Sequence, residues 1–204
     1  MRSAASTMSW PSTFHEVDLI VPAAGPDTIG VDVLVNTYPG EVAIVHDRPY
    51  GAAIKLGLTR TDSDIVATMD ADGQHSWREL LYLYREMQVH NADMVIGQGE
   101  KSGLRGVYSS LLNCAASILA GKHVPDFGSG LRVFKRASLP PIEKLPDGFD
   151  FNAVVTLAMM LSKRKVLWVP ADVRPRRHGK SHVTWHDGVV TVRSLCRARW
   201  AHGR

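Results

Sequence analysis

The sequence predicts an α/β fold, with a mostly parallel central sheet flanked by helices. Three observations predict it. Apolar runs of strand length recur at Val17–Pro22, Glu41–His46, Ile65–Met69, Asp93–Gly97 and Lys165–Val169. Stretches with helical apolar spacing alternate with them. One run, ending at Met69, delivers two carboxylates, Asp70 and Asp72, where an open α/β sheet presents its ligand site.

Taken in order, Val17–Pro22 is a buried first strand that leads into the ligand-side loop Ala23-Ala24-Gly25-Pro26. Asp27 to Pro39 reads either as a short helix or as a second strand at Val31–Val35. Glu41–His46 is a strand bounded by Pro39-Gly40 and by Asp47-Arg48-Pro49. Tyr50 to Leu58 begins a helix whose small residues permit close approach to a ligand or a strand. The turn Thr61–Asp64 precedes the strand Ile65–Met69. Ser76, with Glu79 three residues on, predicts a capping box and a helix from Trp77 to His90. Asp93–Gly97 is a strand, Gln98–Arg105 a polar, mobile loop, and Val107–Leu119 a helix. Pro125–Gly130 is a loop, Leu131–Phe134 a short strand, and Pro140–Gly148 loop again. Phe151–Leu161 is a buried helix, Lys165–Val169 a strand closed by Pro170, and Arg174–Ser181 a basic loop. Trp185–Trp200 is a basic helix with an apolar stripe.

The 204 residues suit one domain with a substantial core, and 45% apolar with 22% charged residues is an ordinary soluble composition. The expected layout is a tail at 1–14, the domain at 15–183, and a basic amphipathic helix at 184–204 that belongs to it. No apolar run reaches the length of about 18 residues that a spanning helix needs. Met1 to Ser12 lacks the apolar centre of a signal peptide. The two cysteines, Cys114 and Cys196, lack metal-type spacing and favour a reducing compartment, so a cytoplasmic location is expected. From Arg164 onward ten basic residues face two acidic ones, an excess larger than the whole chain's net charge of +4. That end of the chain either faces something anionic or is a solvated basic face.

Three stretches carry chemistry. In Asp70-Ala71-Asp72-Gly73-Gln74-His75, two carboxylates one residue apart can face one hard cation, and Gln74 can add a neutral oxygen. Oxygen ligation of this kind suits Mn2+ or Mg2+, not structural zinc. A DxD triplet alone is also common in surface turns, and His75 reads as capping or packing before it reads as a ligand. The second stretch is Asp126 to Arg136, where Gly128 and Gly130 flank Ser129 and Arg132 follows on a strand, placed for bidentate phosphate contact. A surface arginine beside a turn is the bland alternative. The third is Val169 to Ser181, in which Arg176, Arg177, His178 and Lys180 crowd a glycine loop that can close over a diphosphate. A solubilising loop or a nucleic-acid patch is its alternative.

Together these stretches resemble the family-2 glycosyltransferases of the GT-A (Rossmann-like) fold, above all the catalytic domain of dolichyl- or polyprenyl-phosphate mannosyl- and glucosyltransferases. That family carries D-A-D-x-Q-H, D-x-x-x-G-x-R, G-F-x-F, K-V-x-x-V-P and R-x-x-G-x-S in order. Here they stand as Asp70–His75, Asp126–Arg132, Gly148–Phe151, Lys165–Pro170 and Arg176–Ser181. The resemblance covers about Val17 to Trp200. It implies that Asp70, Asp72 and Gln74 hold the cation and through it the donor diphosphate. It implies that Arg132, beside Ser129 and assisted by Arg105, contacts the acceptor's phosphate or the reacting phosphate oxygens, and that Arg176 and Lys180 steady the leaving diphosphate or the acceptor phosphate. Pro22 and Ala23 would lie beside the nucleotide base. The chain departs from the pattern in its first half, which lacks the P-x-x-N-E loop and the acidic pair after the second strand. Asp47 takes the nucleotide role if Glu41–His46 is that second strand, and Asn36 takes it if Glu41–His46 is the third.

The implied reaction is inverting sugar transfer from a GDP- or UDP-linked sugar. An alcohol acceptor needs a general base, for which Asp150 is the one nominee, although a helix-start role suits it equally. A phosphate acceptor needs none, so a polyprenyl-type phosphate is the favoured acceptor, with a protein, glycan or other hydroxyl as the alternative. The last helix sets Trp185, Val189, Val190, Val192, Leu195 and Trp200 among Arg193, Arg197 and Arg199. It either contacts the inner membrane face peripherally or packs on the sheet. A nucleotidyltransferase is a second class, weakened because no lysine or arginine lies in Pro22–Pro26. A non-catalytic nucleotide-sugar binder is a third. Nucleic acid is not the expected partner, and a homodimer is compatible with all of these readings.

Overall fold

The computed structural model describes residues 17–23, 38–46, 48–99, 103–172 and 184–203, and for 77, 103–105 and 107 the backbone alone. Its elements in chain order are β1 (Val17–Ala23), β2 (Val42–His46), α1 (Tyr50–Arg60), β3 (Ile65–Thr68), α2 (Trp77–His90), β4 (Met94–Gln98), α3 (Gly103–Ala120), β5 (Arg132–Lys135), α4 (Phe151–Leu161), β6 (Val166–Pro170) and α5 (Trp185–His202). Two short 3-10 turns, Arg136–Ser138 and Ile142–Lys144, lie between β5 and α4.

The strands form one six-stranded sheet in the order β2-β1-β3-β5-β4-β6. β1 pairs in parallel with β2 and with β3, and β4 pairs in parallel with β6. Only β5 is reversed, lying antiparallel between β3 and β4, so the sheet is mostly parallel as expected. The register sets Ile20 beside Thr68, and Arg132 beside both Thr68 and Ile96. The reversed strand therefore begins where its neighbours end. One edge of the sheet gathers the ends of β1, β2, β3, β4 and β6 and the start of β5.

The two faces alternate along each strand, as a pleat buried on both sides requires. Leu19, Val21, Ala67, Val95 and Val133 face α2, which buries Leu80, Leu83, Tyr84 and Met87 against them. Ile20, Val66, Met94, Ile96 and Phe134 face α1 and α4, which supply Ile54, Leu58, Val154, Val155 and Met159. Each such apolar side chain, fully buried, contributes about 1.5–3 kcal/mol. α3 and α5 form an outer layer over α4, joined through Ala116, Phe127, Ala153, Leu157 and Leu195.

Three details differ from expectation. Ser76 does cap α2, accepting the Arg78 N–H at 3.4 Å, but Glu79 turns to His75 and closes no capping box. A complete capping box stands instead at α5, between Thr184 and Asp187. α3 begins at Gly103, so Arg105 lies in its first turn and not in a loop. Glu41–His46, whose position was open, pairs directly with β1 over Val42–His46. The tail 1–14, the segment Val31–Val35, Asn36, Asp47 and the basic loop with Arg176 and Lys180 lie outside the described residues.

Candidate active site

The chain leaves β3 at Thr68, and Met69 still donates its N–H to Ile20 O at 3.2 Å. Asp70 to His75 then form a turn, made possible by Gly73 at φ 73°, a left-handed conformation that suits glycine. Asp72 is half-exposed, and its Oδ1 accepts the Gln74 N–H at 3.0 Å, which holds the turn closed. The turn is tied to α2 by His75, whose Nδ1 lies 3.2 Å from Glu79 Oε2. His75 thereby engages Glu79 through Nδ1.

Asp70 points the other way, onto the glycine loop. A Cβ placed on Gly130 would lie 2.3 Å from Asp70 Oδ1 and 2.5 Å from its Cγ. Only glycine admits the carboxylate there. Gly130 is itself fixed by Thr68 on β3, whose hydroxyl donates to Gly130 O at 2.8 Å. The rest of the loop is braced internally. Asp126 is buried, and its Oδ1 accepts the Gly128 N–H at 2.8 Å. Asn113 of α3 donates to Pro125 O at 2.6 Å and accepts from the Phe127 N–H at 3.4 Å. Ser129 Oγ accepts the Leu131 N–H at 3.3 Å, which ties its side chain to the loop.

Arg132 is not placed for substrate contact. It is 2% exposed, and its guanidinium is consumed by the protein. Nε donates to Ser129 O at 2.6 Å, one terminal nitrogen donates to Asn152 O at 3.2 Å and Thr156 Oγ1 at 2.8 Å, and the other donates to Phe127 O. Burial pushes the guanidinium down to about 10, against the opposing pull of Tyr50, Asp126 and Asp70. The side chain is a strut between the glycine loop and α4. The expectation of a phosphate-binding arginine fails because three carbonyls and a hydroxyl claim its donors first.

Asp150 is likewise withdrawn. It is 4% exposed, occupies the N-cap position of α4, and makes no capping bond with its side chain. A base for an acceptor hydroxyl needs an open approach, and a carboxylate buried at a helix start lacks one. Pro22 and Ala23 prolong β1 and pair with Val45 and His46, so they stand at the strand-end edge and not in a loop. Arg105 contributes its backbone to α3, and its side chain lies outside the described residues.

Sequence reading missed Tyr50, Asn152 and Thr156. Tyr50 opens α1 at the same edge. Its ring stacks on Phe149, and its hydroxyl accepts from Asn152 Nδ2 at 3.0 Å. Burial, then the neighbouring Asp70, pushes the phenol well above its usual range. The missed signal lay in α4. In Phe-Asn-Ala-Val-Val-Thr, Asn152 and Thr156 are the polar pair at i, i+4 of an otherwise apolar helix, so they share a face.

Comparison with known proteins adds the relatives. The family model described as Glycosyl transferase family 2 matches residues 35–138. The chain is 28% identical over 144 residues to an undecaprenyl-phosphate 4-deoxy-4-formamido-L-arabinose transferase of Pseudomonas fluorescens, covering 69% of this chain and 42% of that protein. It is 26% identical to an undecaprenyl-phosphate mannosyltransferase of Micrococcus luteus, covering 89% and 81%, and 24% identical to a dodecaprenyl-phosphate galacturonate synthase of Rhizobium johnstonii, covering 91% and 53%. The chain spans about half the length of several of these relatives. Among solved structures, glucosyl-3-phosphoglycerate synthase of Mycobacterium tuberculosis, with Mn2+, UDP-glucose and glycerol 3-phosphate, superposes with a TM-score of 0.65. That match has 14% identity and covers 91% of this chain and 79% of the other, a likeness of fold.

Proposed function

Because the chain belongs to glycosyl transferase family 2, we propose that it moves a sugar from a GDP- or UDP-linked donor to a polyprenyl-type phosphate, with inversion at the anomeric carbon. The observation that carries this reading is the seating of Asp70 on Gly130, which sets the acidic turn against the glycine loop at the strand-end edge. Open α/β sheets bind ligands at that edge.

The residues fit a hard divalent cation, Mn2+ or Mg2+. The turn offers oxygen donors from Asp70, Asp72 and Gln74, and among the described residues no three His, Cys, Asp or Glu side chains converge as a protein-only cage would need. Such ions are commonly held by one or two carboxylates completed by substrate phosphates and water. Bound there, the cation would offset charge on the departing diphosphate. The chain's own part is orientation. Asp70 is seated against Gly130, and Asp72 is held by the Gln74 N–H. Arg176 and Lys180, which follow β6 in sequence, would face the diphosphate.

The acceptor reading rests on two supports. The relatives are named for undecaprenyl and dodecaprenyl phosphates. Asp150, the one nominated base, is buried, and an ionised phosphate acceptor needs no base. Peripheral membrane contact accords with α5, whose Trp185, Val189 and Trp200 are 78%, 52% and 69% exposed beside exposed Arg193, Arg197 and Arg199. No helix of the described residues is long and apolar enough to cross a membrane.

The test is a melting screen of UDP- and GDP-sugars with and without Mn2+, repeated on Asp72→Ala, followed by transfer assays on undecaprenyl phosphate and on a hydroxyl acceptor. A metal-dependent stabilisation that is lost in Asp72→Ala, with product on the lipid phosphate, is expected. Equal shifts in the variant would remove the metal role. Transfer to the hydroxyl alone would reassign the acceptor, and binding without transfer would leave a binder.

A further inference from the structure

Resting on that reading, we infer that Asn152 is a positioning residue for the cation site, holding the glycine loop where Gly130 seats the Asp70 carboxylate. Asn152 is buried in the first turn of α4, between Phe151 and Ala153. A buried amide is costly unless its hydrogens find acceptors. Nδ2 directs one hydrogen to Ser129 O at 3.3 Å and the other to Tyr50 Oη at 3.0 Å. Ser129 O is a carbonyl and only accepts, so the amide nitrogen, and not its oxygen, must face the loop. The stack of Tyr50 on Phe149, with centroids 5.7 Å apart, keeps the second acceptor in place.

The loop is held from the sheet as well. Arg132 Nε, from β5, donates to Ser129 O at 2.6 Å, and Thr68 Oγ1, from β3, donates to Gly130 O at 2.8 Å. Asn152 supplies the tie from α4, so two adjacent carbonyls are pinned between the sheet and a helix. The seat above them is tight, because a Cβ on Gly130 would lie 2.3 Å from Asp70 Oδ1. At that separation a shift of the loop shifts the carboxylate, and with it the geometry offered to a cation. Groups that orient a metal ligand from behind change metal affinity by about 10–100-fold when they are removed. Asn152→Leu removes both amide hydrogens at nearly constant volume.

The test titrates Mn2+ in the presence of UDP-glucose, or of GDP-mannose, and reads the midpoint of the melting shift and kcat. The chains compared are the wild type, Asn152→Leu, Gly130→Ala, their double variant, and Asp93→Asn, which loosens the opposite end of the sheet. Asn152→Leu is expected to raise the Mn2+ midpoint about tenfold, with kcat at saturating Mn2+ nearly unchanged. Asp93→Asn should leave the midpoint in place. In the Gly130→Ala background, where the seat is already lost, Asn152→Leu should add less than its own factor. An unmoved midpoint in Asn152→Leu, an equal rise in Asp93→Asn, or factors that multiply in the double variant would overturn the inference. If the wild-type chain responds to neither Mn2+ nor any nucleotide sugar, the transferase reading fails and hydrogen exchange decides the inference alone. The Gly128 and Leu131 amides, both bonded within the loop, must then exchange about fivefold faster in Asn152→Leu and at the wild-type rate in Asp93→Asn. Unchanged exchange in Asn152→Leu would dismiss it.

Discussion

Gly130 and Arg132 stand two residues apart and do opposite work. Gly130 leaves room for a carboxylate that belongs to the site, whereas Arg132 supplies donors to the loop behind it. Their substitutions should separate accordingly. Gly130→Ala places a methyl within 2.3 Å of Asp70 Oδ1, so the turn must shift. The expected result is a loss of nucleotide-sugar turnover of about tenfold or more from misplacement of a binding group, with the fold retained. Near-normal turnover in a folded Gly130→Ala chain would show that Asp70 need not be seated there. Arg132→Met should instead strip its donor from the buried Phe127 carbonyl, while Ser129 O and Asn152 O keep the bonds from Asn152 Nδ2 and the Thr156 hydroxyl. A destabilisation of about 2–3 kcal/mol in urea is expected, the scale of losing hydrogen bonds made by a buried charged group. A wild-type unfolding curve would contradict the strut.

Among the elements, β4 and β6 are tied together at the end of the sheet away from the site. Asp93 accepts from the Ser138 hydroxyl at 2.7 Å and from the Lys165 N–H at 2.8 Å. Desolvation alone would raise its carboxyl, but these two bonds, with Lys135 and Arg164 nearby, outweigh it and hold the group below its usual 3.8. A depressed folded value contributes stability that is present above pH 3.8 and is lost as pH falls through the folded value. Asp93→Asn is expected to cost about 1 kcal/mol at neutral pH. It should also flatten the acid limb of the stability curve below about pH 4. An unchanged acid limb would mean that other carboxylates control it. α5 poses a separate question at the same scale. Its exposed tryptophans and arginines predict salt-sensitive binding to phosphatidylglycerol vesicles, each basic residue near the surface contributing about 1 kcal/mol. Arg193→Glu with Arg197→Glu should abolish it, and failure of the wild-type chain to bind at low salt would refute the membrane contact.

Across the whole molecule, what the sequence made legible was periodic, and what it hid was polar and buried. Strand and helix identities followed from apolar spacing, and the acidic turn and glycine loop followed from residue type. Arg132 misled because an arginine beside glycines reads equally as a phosphate ligand or as a buried strut, and the carbonyls that decide it come from residues 127, 129 and 152. Tyr50 stayed hidden because its partners lie at positions 149 and 152, a separation that no local pattern encodes. The capping box expected at Ser76 and Glu79 does not form. His75 captured Glu79, and Thr184 with Asp187 supplied the box at α5.

The reversed strand also governs how the molecule comes together during synthesis. β3 and β4 are separated in the sheet by β5, which is made later than either. Until residue 135 has emerged, β2-β1-β3 and β4 are two fragments with no ladder between them, and the facing borders of β3 and β4 carry unpaired backbone groups. β5 is a keystone of four residues, and its arrival also brings Gly130 up beneath Asp70. A nascent chain stalled before Leu131 would therefore present the β3 border and both borders of β4 unpaired, with Gly130 not yet seated under Asp70. Joining β3 to β4 and seating Asp70 on Gly130 thus belong to the same step.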